Sequence, residues 1–72
     1  MNNSTILSIS SRESQVLKLI ADELTTKEIA SQLYISYDTA CTHRKNLIAK
    51  LQVKNTAGLI RRAFEQRLLV IL

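Results

Sequence analysis

The sequence predicts an all-α domain, a four-helix bundle containing a helix-turn-helix. Three observations predict it. The 72 residues include no Pro and one Gly, Gly58, whereas sandwiches and barrels of short strands need turn residues at intervals of roughly eight to twelve positions. Apolar residues recur at helical rather than alternating period. Three helix starts carry explicit capping signals.

The first start is Ser10-Ser11-Arg12-Glu13, a capping box in which the Ser10 hydroxyl accepts from the Glu13 N–H and the Glu13 carboxylate accepts from the N–H of residue 10. Val16, Leu17, Ile20, Ala21 and Leu24 then form one apolar stripe. Thr25-Thr26-Lys27-Glu28 repeats the box, with Leu24 and Ile29 placed as a hydrophobic staple. This second helix is short, buries Ile29, Ala30 and Leu33, and is expected to stop near Tyr34. Ser36 caps the third, where Asp38 complements the positive end of the helix dipole. At about 100° per residue, Ala40, His43, Leu47 and Leu51 fall on one side, and Asp38, Cys41, Thr42, Lys45 and Ala49 on the other. Asn55 caps the fourth helix, with Ile60, Ala63, Phe64 and Leu68 on one stripe and Leu59 beside it. The expected spans are about 10 to 23, 26 to 33, 37 to 51 and 55 to 68. Residues 1–8 are expected as a flexible N-terminal segment and 9–72 as one domain, with the helix-turn-helix unit at about 26–45.

Composition narrows the function classes. A chain of 8.1 kDa has no room for a large catalytic cleft. Lone Cys41 cannot form an internal disulfide, which fits a reducing, cytoplasmic location. The longest apolar run, Leu68 to Leu72, is far short of the roughly 20 residues that span a bilayer, so no membrane partner is expected. There is no nucleophile–base pair, metal cluster or phosphate loop, so no enzyme, catalytic residue, metal or cofactor is expected. Net charge is +4, but it is unevenly spread. Residues 1–38 hold three basic and five acidic side chains; residues 39–62 hold six basic and no acidic ones. A single-sign stretch is either a footprint for a polyanion, nucleic acid being the commonest, or a solvated basic surface.

The helix spacing sharpens the choice. A short helix joined by only Tyr34-Ile35-Ser36 to a longer helix with a small, basic face has helix-turn-helix geometry. In such a unit the first helix crosses the sugar-phosphate backbone and the second enters the major groove, about 12 Å wide, where short side chains such as Cys41, Thr42 and Ala49 fit closely. Lys45 is placed to donate to a guanine edge or a phosphate.

Several spaced motifs resemble the LuxR-type, or GerE-type, helix-turn-helix of bacterial response regulators and quorum-sensing activators. They are Ile9-Ser10-Ser11-Arg12-Glu13 with Val16-Leu17-Lys18-Leu19-Ile20-Ala21, then Lys27-Glu28-Ile29-Ala30, Leu33, Ile35-Ser36 and Thr39. His43-Arg44-Lys45-Asn46-Leu47 and Lys50-Leu51-Gln52-Val53 complete the match, which runs from about Ile9 to Leu69. The resemblance implies sequence-specific binding of double-stranded DNA in the regulation of transcription, as a homodimer through the fourth helix, with a receiver or sensor domain often ahead of this one. Carried onto this chain, it implies base-facing residues Cys41, Thr42 and Lys45, and phosphate contacts from Thr26, Thr39, Arg44, Asn46 and Lys50. Departures are Cys41 in place of a frequent Lys, Ala40 in place of Val, and Glu23 and Arg67 in place of frequent glycines. The last is expected to lengthen the fourth helix.

Other roles for these residues are weaker. Cys41 reads as a small groove-fitting residue rather than a redox sensor, and His43 as a packed, hydrogen-bonded core histidine rather than a ligand. Tyr34 and Tyr37 read as lids over a small core rather than base-stacking platforms. Arg61 and Arg62 are within reach of phosphate, but Arg61 can also pair with Glu65 at i+4, and both are left out of the expected binding site. The tail from Leu68 to Leu72 either closes the last helix or meets a partner. The alternative functions are a sigma-factor-like promoter-binding domain and a helical adaptor that binds protein through the fourth helix; duplex binding separates the adaptor from both DNA readers.

Overall fold

A computed structural model describes residues 9–70. The expected flexible segment 1–8, and Ile71 and Leu72 of the apolar tail, lie outside the described residues. Within these there are four helices and no strand: α1 (Ser11–Ala21), α2 (Thr26–Leu33), α3 (Tyr37–Leu51) and α4 (Thr56–Glu65).

Every helix begins at the cap the sequence supplies. The Ser10 hydroxyl accepts from Glu13 N at 3.0 Å while Ser10 N donates to Glu13 Oε1 at 2.9 Å. Thr25 and Glu28 form the same reciprocal pair at 3.1 and 2.8 Å. Ser36 Oγ accepts from Thr39 N, and Asn55 Oδ1 accepts from Gly58 N. Each cap satisfies an N–H that the first helical turn would otherwise leave unpaired.

The helices also share one way of stopping. Glu23, Tyr34, Gln52 and Arg67 are left-handed, with φ of 70°, 57°, 57° and 62°. The next residue's N–H then reaches five residues back: Leu24 to Leu19, Ile35 to Ala30, Val53 to Ile48 and Leu68 to Ala63. This is the Schellman closure, usually built on glycine. It explains the shortened ends, since α1 stops at Ala21 and α4 at Glu65 rather than near 23 and 68. Arg67 does not lengthen α4. A side chain at a position that demands positive φ ends the helix as glycine would, with added strain.

α3 packs against each of the other helices. The core comprises Val16, Leu17 and Ile20 of α1, Ile29 of α2, Leu47 and Leu51 of α3, Leu59 and Ala63 of α4, and Leu69. Leu59, placed at the side of the stripe by the sequence, is fully buried, whereas Ile60 and Phe64 are half-buried. The left-handed turn at Arg67 redirects the chain so that Leu69 enters the core, while Val70 points outward. One expectation for the α2–α3 turn fails, and one for His43 of α3 holds only in part. Tyr34 is 95% and Tyr37 56% exposed, so neither covers the core, because left-handed Tyr34 projects away from α2. His43 is half-buried, but its Nδ1 is enclosed without a hydrogen-bond partner among the described residues, so it is packed and not hydrogen-bonded through that atom. No described helix is long and apolar enough to cross a membrane.

Candidate nucleic-acid interface

The α2–turn–α3 unit presents one side of α3 to solvent. Buried Ala40, Leu47 and Leu51 hold the helix on the core. Asp38, Thr42, Lys45 and Ala49 are exposed, and at about 100° per residue they share a stripe about 60° wide, opposite that seam. Thr42 and Lys45 are thus brought together as the sequence predicts. Cys41 lies at the edge of the stripe and is half-buried, one turn after Tyr37. The Tyr37 hydroxyl is pushed above its usual pKa, chiefly by its side-chain interaction with the Cys41 thiol. The described part of the tail lies near Lys18, Ala21 and Asp22 at the far end of α1 and leaves this stripe uncovered.

The hydroxyls on α3 have defined roles. Thr42 Oγ1 donates to the Asp38 carbonyl at 3.0 Å, so its hydrogen is used within the helix and the side chain offers outward a methyl group and lone pairs. Ser36 Oγ donates to Thr39 Oγ1 at 2.9 Å, which leaves the Thr39 hydrogen free for an outside acceptor.

The predicted phosphate-facing residues divide between the two flanks of the stripe. Thr39, Asn46 and Lys50 lie on one flank and Arg44 on the other. Thr39 and Asn46 are exposed, and Thr26 is half-buried in the first turn of α2. The two cations are already engaged. Arg44 Nη2 donates to Thr56 Oγ1 at 2.6 Å, tying α3 to the start of α4, and a guanidinium keeps further donors for an outside group. Lys50 Nζ donates to Glu13 Oε1 at 2.7 Å. Burial, the largest single influence on Glu13, pushes its carboxyl up; the Lys50 ammonium and the Ser10 N–H together outweigh it and hold the group below its ordinary value.

Sequence reasoning missed this second duty of Glu13, because a contact spanning 37 positions leaves no periodic signal. It also left Asp38 out of the site, although the helical wheel places it on the same stripe. Arg62 serves the fold: it donates to the Leu51 carbonyl at 3.1 Å, capping the end of α3. Arg61 pairs with Glu65 at 3.3 Å, as its spacing predicts. Among the described residues no group of three His, Cys, Asp or Glu could hold a metal ion.

The model of the family described as bacterial regulatory proteins, luxR family, matches residues 7–63. The response regulatory protein YgeK of Escherichia coli K12 is 47% identical over 55 residues, 76% of this chain and 37% of YgeK. The transcriptional regulatory protein MctR of Rhizobium johnstonii is 52% identical over 54 residues, 75% of this chain and 25% of MctR. The solved structure of the transcription factor GerE has a TM-score of 0.82 at 31% identity, covering 86% of this chain and 92% of GerE. The chain therefore spans well under half the length of the two curated relatives.

Proposed function

Since the chain belongs to the luxR family of bacterial regulatory proteins, as a DNA-binding domain of the transcriptional-regulator kind, we propose that α3 reads duplex DNA in the major groove while α2 and the flanks of α3 hold the phosphates. The carrying observation is the opposition on α3 between the buried Ala40–Leu47–Leu51 seam and the exposed stripe containing Thr42 and Lys45. A helix held by one side and bare on the other can enter a groove without disturbing its own bundle.

In this reading Lys45 donates to guanine O6 or N7, Thr42 contacts a base edge beside it, and Cys41 borders the contact at the rim of the stripe. Phosphates lie on both sides of a groove-bound helix. Thr39 gives its free hydroxyl hydrogen on one side with Asn46 and Lys50, Arg44 answers on the other, and Thr26 adds the start of α2. Residues 9–72 are the binding module. Two copies joined through α4, where Ile60 and Phe64 remain half-exposed, would set two recognition helices about 34 Å apart on a two-fold operator. The greater length of the response regulatory protein YgeK, of which this chain covers 37%, supports a receiver or sensor domain ahead of this one, and a DNA-reading role supports a cytoplasmic location without catalysis of its own.

The test is selection of bound sequences from random duplexes, followed by anisotropy titrations at several salt concentrations. A preferred, two-fold-related site is expected, with log K falling by about 0.9 per log unit of salt for each phosphate neutralised. Salt-independent binding, or an equal affinity for every duplex, would refute the docking of α3.

A further inference from the structure

The exposed stripe of α3 carries an acid. Asp38 lies in the first turn, exposed, and on the helical wheel it falls between Thr42 and Lys45. Among the described residues the ion pairs are Lys50–Glu13, Arg61–Glu65 and Arg62–Glu65, and Asp38 belongs to none. A carboxylate on the side of a +4 chain that approaches a polyanion opposes every non-specific encounter. Its interaction with the helix dipole is available anywhere in the first turn, including positions 37 and 39, and so does not account for its place on this stripe.

What lies beside it supplies a reason. The Thr42 hydroxyl hydrogen is bound to the Asp38 carbonyl, so the two neighbouring side chains present acceptors and a methyl group, and no donor. Lys45, on the other side of Asp38, presents donors alone. In the major groove adenine N6 and cytosine N4 are the exocyclic amino donors, whereas guanine and thymine offer O6, N7 and O4 as acceptors.

We propose, resting on the duplex reading above, that Asp38 is a specificity-determining residue: with Thr42 it takes the exocyclic amino group of an adenine or a cytosine in the major groove and turns away guanine and thymine at that position. An adenine there brings a thymine partner whose methyl packs on the Thr42 methyl. A cytosine brings a guanine partner whose acceptors suit Lys45. The selected base tells which of the two it is.

The experiment compares the chain with Asp38→Ala and Asp38→Asn, each first shown folded by thermal melting. Bound duplexes are selected from a random library for all three. Affinities are then measured for the selected site, its single-position variants and a random duplex at one salt concentration. The expected result is one position where the parent protein requires adenine or cytosine, losing about fivefold or more with guanine or thymine. Asp38→Ala should reduce that preference to about twofold or less and bind random duplex more tightly; Asp38→Asn, which keeps an acceptor and adds a donor, should admit guanine. Should Asp38→Ala lower only the melting temperature, with an unchanged base profile and unchanged random-duplex affinity, Asp38 is a helix-capping acid and the proposal is overturned. A parent protein that selects no sequence at all overturns the duplex reading instead, a result distinct from a selected site that ignores Asp38.

Discussion

Lys50 Nζ lies 2.7 Å from Glu13 Oε1, joining the last turn of α3 to the first turn of α1. The same carboxylate oxygen also accepts the Ser10 N–H, so one buried atom closes a helix cap and anchors α3. The Glu13 side chain is 6% exposed and that of Lys50 43%, so the acid is the member that cannot return to water when its partner is lost.

Removing the lysine is therefore expected to cost more stability than an ordinary surface substitution. Lys50→Ala should destabilise by about 1–2 kcal/mol, below the 3–5 kcal/mol of a fully buried broken pair because solvent screens the ammonium. The sign is checked by denaturant unfolding of Lys50→Ala against the double variant Glu13→Gln/Lys50→Ala. If the double variant is no more stable than the single one, the acid is not the source of the cost.

Acid should weaken the same link. The Glu13 pKa is lowered by folding, so its contribution is present above its ordinary value of 4.5 and is lost as pH falls through the lower folded value. Melting temperature is expected to drop on acidification below about pH 4.5, and to drop less for Glu13→Gln. Parallel melting curves across that range for the two proteins would argue against this linkage.

The four left-handed residues offer a way to stabilise the domain. Glu23 and Arg67 have φ of 70° and 62° and are exposed, with no side-chain hydrogen bond among the described residues. Glycine at either position relieves the steric cost of a Cβ there, at some loss of unfolded-state restriction, for a net gain of about 0.5–1 kcal/mol. For a domain of this size about 1 kcal/mol raises the melting temperature by roughly 4–8 °C. Glu23→Gly and Arg67→Gly should each move toward that shift in calorimetry; a lower melting temperature in both would mean that these conformations are unstrained.

Lys45 and Lys50 should separate specificity from general affinity. Lys45→Ala is expected to lose about 1–3 kcal/mol on the selected operator while losing little on random duplex, which flattens base preference at one position. Lys50→Ala should weaken all duplexes alike and reduce the salt slope by about one, over and above its effect on folding. Equal losses on operator and random duplex for Lys45→Ala would move that residue from the bases to the phosphates.

Helix starts were the most legible part of the fold. Ser10, Thr25, Ser36 and Asn55 act through bonds three residues long, so the signal and the bond occupy the same few positions. Helix ends were less legible. α2 and α3 stop at Leu33 and Leu51 as expected, whereas α1 and α4 stop short, on left-handed backbone at Glu23 and Arg67, residue types whose side chains do not announce it. On α3 the wheel separated the buried seam from the exposed stripe, but could not show that the Thr42 hydroxyl donates to the Asp38 carbonyl or that Cys41 is half-buried.

By itself, then, the order of residues determined the number of helices, where each begins, the tight α2–α3 connection and the side of α3 that stays bare. All of these follow from interactions among neighbours a turn or two apart, where chain connectivity already places the partners. Only the folded bundle decided that Lys50 is held by Glu13, that Arg44 reaches Thr56, that Arg62 caps α3 and that Leu69 returns to the core. Those contacts join segments that packing brings together, and spacing along the chain does not encode which distant partner a long side chain will meet.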